Sequence, residues 1–334
     1  MTTPDGPRVK LLELPLLDLG GSTVDLAPIL ALALLFIVAL YGFLYGKKKS
    51  RWRFVVQAIS LFIFVFAAHQ TMCVLRSWIY GFQAIGKNDT VAFALLHIAV
   101  ALIFMALIGG AIFCGWICPV GALQEWLGWL SRKTKTKLGQ KLAFYLDLLL
   151  SVLALGVMVY LTWYYAPANF FFSENISILF TLIGLIGLPF ILFAPLLQKK
   201  LRYFRYLSLF GRIFIVLIGI YTTNPGCTIY ETEIDYSAAI SFFGVIVATL
   251  VLSRAYCRFI CPFGASFGLL SEVALIKIKP HSTPCTKDCG RCKETCPVGA
   301  LKAGEMEHSA CIRCGRCIEH CHASIHFDLA GEDQ

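Results

Sequence analysis

Charge is scarce in this chain. Asp, Glu, Lys and Arg make up 15% of its 334 residues and hydrophobic residues 58%, with a mean hydropathy of +0.73. Soluble domains carry about a quarter of charged residues, so the shortage excludes an ordinary soluble enzyme. Acidic residues are the scarcer kind, 20 against 29 basic ones, for a net charge of +9. Such a surplus suits nucleic acid only when it covers one polar face. Here the basic residues fall in short clusters beside apolar blocks, so no nucleic-acid partner is expected. A cleavable signal peptide is also missing. The first 25 residues are mixed in charge and precede a full-length span, so that span is expected to insert uncleaved. No DNA-binding or kinase element is recognisable.

Long apolar blocks fill the chain instead. Seven are read, at roughly 27–46, 54–75, 91–113, 142–165, 176–197, 207–222 and 237–256. Most approach the ~20 residues that a helix needs to cross hydrocarbon. The expectation is an all-α polytopic membrane protein of about seven transmembrane helices, partnered by the lipid bilayer. Basic residues follow the odd-numbered blocks: Lys47, Lys48, Lys49, Arg51 and Arg53, then Arg132, Lys133, Lys135, Lys137 and Lys141, then Lys199, Lys200, Arg202 and Arg205. The loop at 223–236 carries Glu231, Glu233 and Asp235 instead. Positive loops stay inside, which predicts an inner-membrane protein with its N-terminus outside and its C-terminus in the cytoplasm.

Eight of the 14 cysteines close the chain in two runs, Cys285-Cys289-Cys292-Cys296-Pro297 and Cys311-Cys314-Cys317-Cys321. Short gaps between thiolates suit iron–sulfur cubanes, and in the bacterial arrangement the fourth cysteine of each run serves the other cluster. That predicts one [4Fe–4S] cluster on Cys285, Cys289, Cys292 and Cys321, and a second on Cys311, Cys314, Cys317 and Cys296. The first gap is one residue longer than usual, and His322 stands where a second proline is usual. The competing reading is a pair of four-cysteine zinc sites. The predicted organisation is an extracytoplasmic tail at 1–26, a transmembrane domain at 27–280, and a small α+β ferredoxin-like module with two [4Fe–4S] clusters at 281–334, kept in the reducing cytoplasm.

A second cysteine pattern is duplicated. Cys114-Gly-Trp-Ile-Cys118-Pro119-Val-Gly121-Ala122 recurs 143 residues later as Cys257-Arg-Phe-Ile-Cys261-Pro262-Phe-Gly264-Ala265. Cysteines at i and i+4 share a helix face, and the following proline biases the helix to end there. A parallel repeat would bring these four thiols to one point at the inner surface, able to hold a further cluster or a metal. A structural helix-end motif is the alternative. Amphipathic stretches follow each copy, Leu123, Trp126, Leu127 and Leu130 in the first and Leu269, Leu270, Val273 and Leu275 in the second, and are expected to lie along the interface.

Tandem Cys-x-x-x-Cys-Pro motifs with a C-terminal two-cluster module resemble the NapH/NosR/CcoG family of membrane polyferredoxins, over roughly residues 50–330. Size and architecture are most similar to its NapH-type quinol dehydrogenase subunit, whose usual picture has four spans. The resemblance implies electron transfer between a quinone pool, or another membrane redox partner, and cytoplasmic iron–sulfur clusters. It implies partner subunits that are iron–sulfur, flavin or cytochrome proteins. Two alternatives stay open: a copper-reducing maturation factor of the CcoG type, and a membrane redox regulator.

Weaker candidates remain. His69 and His97 fall inside spans, where an ionisable group marks a functional candidate; they suit a quinone site, haem ligation or interhelical hydrogen bonds. Cys73 and Cys227 occupy corresponding places in the two halves, as a disulfide, metal ligands or unrelated apolar residues. Asp147 and Glu125 are candidate proton carriers, with a solvated surface role expected. Lys287, Arg291, Lys293, Arg313 and Arg316 in the module are expected to steer an acidic redox partner or to be solvated surface.

Overall fold

A computed structural model describes residues 17–18, 23–24, 26–46, 48–64, 90–165, 182–183, 186, 200–217, 236–279, 295–302, 305–320 and 324–327. The chain is mostly helical. The helices are α1 (Leu26–Tyr45), α2 (Lys49–Phe62), α3 (Thr90–Gly109), α4 (Pro119–Leu138), α5 (Gln140–Tyr165), α6 (Phe204–Leu217), α7 (Tyr236–Val251), α8 (Ala255–Phe259), α9 (Pro262–Glu272) and α10 (Arg316–His320). Three antiparallel pairs join β1 (Leu17–Asp18) to β2 (Thr23–Val24), β3 (Ile276–Lys279) to β6 (Ser324–Phe327), and β4 (Leu301–Lys302) to β5 (Glu305–Met306).

Among the described residues one helical stretch, Lys141–Leu161 of α5, is long and apolar enough to cross a membrane. Leu30–Tyr45, Ala99–Gly109 and Ala239–Val251 are apolar but shorter. Most of the block at 176–197 lies outside the described residues. The apolar side chains of α5 point outward: Leu142, Tyr145, Leu149, Val152, Leu153, Tyr160 and Trp163 are all exposed. Helix α2 is inverted in the same sense. Its buried face is polar, made of Lys49, Arg53, Gln57 and Ser60 with Val56, and its exposed face carries Trp52, Phe54, Val55, Ile59 and Phe62. A helix in water does the opposite.

Two left-handed residues mark the ends of α3 and α7. Gly110 (φ 61°) stands four positions before Cys114, and Arg254 (φ 57°) three before Cys257. The extra residue in the first copy is taken up by a π-turn at Phe113–Ile117, the usual way a helix absorbs an insertion. The expectation that Cys114 and Cys118 share one α-helical face is corrected accordingly. Cys118 and Cys261 lie outside the preceding helices and open the next ones, with Pro119 and Pro262 at the first helical position. Proline is at home there because its missing N–H would have no partner in any case.

The expected boundary at residue 280 does not separate two bodies. Strand β3 lies before it and pairs with β6 beyond it, with Ile276 opposite Phe327. One apolar core runs from Leu32 and Phe36 through Phe113, Trp116 and Phe267 to Ile278, Ile312 and Cys317.

Candidate metal centre

The repeated motif builds the same local device twice. Cys118 caps the N-terminus of α4 and Cys261 that of α9. The Gly264 N–H donates to Cys261 Sγ at 3.3 Å. Backbone N–H groups of Gly121 and Val120 act likewise on Cys118. Helix N-termini favour thiolate through these N–H groups and the dipole. Glycine is required at 121 and 264 because the chain doubles back: a Cβ would stand 2.8 Å from the Cys114 carbonyl oxygen and 3.2 Å from that of Cys257.

Fold brings the copies together. Gln124, on the helix of the first copy, donates to Cys257 Sγ of the second at 3.3 Å. Burial pushes the Cys114 thiol well up, the neighbouring Cys118, Cys261 and Cys257 thiols add to this, and Arg254 opposes it. Cys118 is pushed up to about 12, first by burial and then by Cys257. Neighbouring thiols that are buried or half-buried do not ionise unaided, and a cationic metal centre is what makes thiolates of such a set.

Cys296, Cys311, Cys314 and Cys317 line one small pocket with Ile278, Val298, Met306, Ile312 and Gly315. The Ala300 N–H donates to Cys296 Sγ at 3.2 Å and the Arg313 N–H to Cys311 Sγ at 3.4 Å. Cys285, Cys289, Cys292, Cys321, Cys73, Cys227 and His69 lie outside the described residues, as does the side chain of His97 on α3.

Buried positive charge surrounds both thiol sets. Arg53, Arg202, Arg205, Arg254, Arg258 and Arg313 are buried, against buried Glu125 and Asp147. Three corrections follow. Lys49, Arg53, Arg202 and Arg205, read as charges of cytoplasmic loops, point into the protein. Arg313 is fully buried where steering or solvated surface was expected, and its Nη2 donates to the Ser271 carbonyl at 3.2 Å. Asp147 pairs with Lys135 at 2.5 Å, and Glu125 is buried at 4% exposure instead of being solvated.

Glu125 is the residue that sequence reasoning undervalued. Its Oε1 pairs with Arg53 and, at 2.7 Å, with Arg316, while its Oε2 pairs with Arg254 and accepts from Gln57 Nε2 at 3.1 Å. Burial alone would raise its carboxyl; Arg254, Arg53 and Arg316 outweigh burial and hold it far below the usual carboxylate range. Three of the four donors also hold a carbonyl beside a candidate ligand. Arg53 Nη1 reaches Cys314 O at 3.2 Å, Arg254 Nη1 reaches Cys114 O at 3.0 Å, and Gln57 Nε2 reaches Gly115 O at 3.0 Å.

The residues fit anionic iron–sulfur clusters. Nε of Arg254 and Arg258, and Nε and Nη1 of Arg313, are buried without a hydrogen-bond partner among the described residues. A buried guanidinium N–H left without a partner is costly. A cluster held by four thiolates supplies the negative charge and the sulfur acceptors that this ring lacks.

The module is seated on both copies of the motif. A Cβ at Gly115 would stand 2.2 Å from Ile312 O, and one at Gly268 2.4 Å from Ser309 O. Trp116 Nε1 donates to Arg313 O at 3.0 Å, the Ser50 N–H donates to Glu319 at 2.9 Å, and Arg202 pairs with Glu307 at 2.6 Å.

The family described as "4Fe-4S binding domain" matches the chain twice, over residues 91–137 and 234–281, and each match contains one copy of the Cys-Pro motif. Haemophilus influenzae ferredoxin-type protein NapH is 23% identical over 259 residues, covering 72% of this chain and 71% of that protein. The chain is thus similar to ferredoxin-type proteins of the NapH and NosR kind. Its other relatives include the putative electron transport protein YccM of Escherichia coli, 27% identical over 240 residues, and the regulatory protein NosR of Pseudomonas aeruginosa, 23% identical over 223. Coverage of this chain is 71% and 63% respectively. The matches span only 56% of YccM and 23% of NosR. No solved structure matches the chain.

Proposed function

We propose that this polyferredoxin is an electron-transfer subunit of a membrane oxidoreductase, exchanging electrons between a quinone pool or membrane redox partner and cytoplasmic clusters. Three ligand sets carry the reading: Cys285, Cys289, Cys292 and Cys321; Cys296, Cys311, Cys314 and Cys317; and Cys114, Cys118, Cys257 and Cys261. A 4Fe–4S cluster supplies reversible one-electron chemistry. The protein's part is to hold the sets close, bury them from water and balance their charge. The inverted polarity of α2 and the exposed apolar side of α5 support placement in a bilayer; the orientation, N-terminus outside and module in the cytoplasm, rests on the basic clusters of the sequence.

One observation carries the proposal. The buried Arg254 guanidinium is an electrostatic neighbour of Cys257, in the repeated motif, and of Cys314, in the module. Arg254 also holds the Cys114 carbonyl and shares Glu125 with Arg53, which holds that of Cys314, so the two ligand sets adjoin. The copper-reductase alternative would gather the same Cys114, Cys118, Cys257 and Cys261 thiols on a single ion, and iron and sulfide counts separate the two readings.

Anaerobic iron and acid-labile sulfide counts with EPR test this, comparing the wild type with the Cys118→Ser, Cys261→Ser double variant. The expected result is a loss of about four iron and four sulfide per chain, with the signals of the module retained. Unchanged iron content and spectra would reduce the repeated motif to a structural helix end.

A further inference from the structure

Glu125 occupies a place that neither thiol set accounts for. It stands on α4, about two turns beyond the Cys118 cap, and its polar partners among the described residues are not candidate ligands. Its four partners come from three separate parts of the chain: Arg53 and Gln57 from α2, Arg254 from the end of α7, and Arg316 from the module. Arg53 and Arg254 then reach the carbonyls of Cys314 and Cys114, one in each ligand set. In the second copy of the repeat the equivalent residue is Gly268, so the first copy alone brings a carboxylate.

We propose that Glu125 is a positioning residue that sets the reduction potentials of the two adjoining cluster sites together. This rests on the reading that both thiol sets hold clusters. Three guanidiniums and one carboxylate leave a net charge of +2 between the sites, in a region from which water is largely excluded. Positive charge near a cluster favours its reduced form, which is the more negative one. Removing the carboxylate charge leaves all three guanidiniums in place and raises that local charge. Both potentials should therefore move up together, because the guanidiniums that Glu125 balances face both sites.

The test is an EPR-monitored redox titration of the full-length protein in detergent. Wild type, Glu125→Gln, Arg316→Gln and the double variant are compared. Glu125→Gln keeps the shape and loses the charge, and is expected to shift the midpoints of both adjoining clusters to more positive values. Arg316→Gln removes one positive charge from a side chain that is partly exposed, and is expected to shift them to more negative values. The double variant should return them towards wild type, a compensation that a merely structural role would not produce. Midpoints unchanged in both single variants, or shifted without compensation in the double variant, would overturn the proposal. If Glu125→Gln assembles no cluster, Arg316→Gln decides by the sign of its shift. A wild type with fewer than three clusters would instead defeat the ligand assignment, and that outcome is read from iron content before any titration.

Discussion

In the first copy of the cysteine motif, position 115 is glycine and the module's backbone rests against it. In the second copy, Arg258 stands at the same place, buried beside Gly299. The two copies share their cysteines, their proline and the glycine at 121 or 264, and they diverge wherever something else must touch them. The first has a π-turn, a buried carboxylate at 125 and a 20-residue helix after the proline. The second has a short α-helix, glycine at 268 and an 11-residue helix that leads into β3. Parts that face thiols are duplicated, and parts that face the module or the neighbouring helices are specific to one copy. Burial lowers the pKa of the Arg258 guanidinium to about 10, with Arg202 adding to the effect.

Making the copies alike is the most damaging change expected. In Gly115→Arg the Cβ alone would meet Ile312 O at 2.2 Å, a buried backbone contact with no room to yield. The cost should be about 3 kcal/mol or more, seen as protease cleavage around the module and loss of its iron. The reciprocal Arg258→Gly should leave the module seated. If Gly115→Arg keeps a protected module, the close approach at 115 is not what docks it.

A smaller contrast tests the shared glycines. Gly121→Ala places a methyl 2.8 Å from the Cys114 carbonyl and Gly264→Ala one at 3.2 Å from that of Cys257. Thermal unfolding in detergent should show a loss of about 2 kcal/mol for the first and about 1 kcal/mol for the second. Equal losses would mean that the second copy is as tightly closed as the first.

Least costly should be Lys135→Met, which breaks the 2.5 Å pair with Asp147 that ties the long helix of the first copy to α5. Both side chains are partly screened, at 18% and 11% exposure, so about 1 kcal/mol is expected by the same melt. A loss as large as that of Gly121→Ala would show that the hairpin of α4 and α5 supports the thiols directly.

The duplicated thiols, the prolines and the apolar helices were legible because each is a local pattern: spacing along the chain, or a run of one residue type. Glu125 was not. A lone carboxylate near the end of an apolar block reads as solvated, and its partners come from 72 residues before it, and 129 and 191 residues after it. Arg53, Arg202 and Arg205 misled for a related reason. Their clustering beside apolar blocks has the signature of cytoplasmic loops, and nothing local shows that their guanidiniums turn inward to carbonyls of the module.

The amino-acid sequence by itself determined the chemistry available to this protein: thiols in cluster spacing, offered twice at helix ends and again in the C-terminal runs, on a chain too apolar for water. Only the tertiary structure decided how the sets are joined. Hydrophobic patterning is additive along the chain, whereas a buried ion cluster exists only once four distant segments meet and exclude water around it, and glycines at 115 and 268 let the module come close enough to close it.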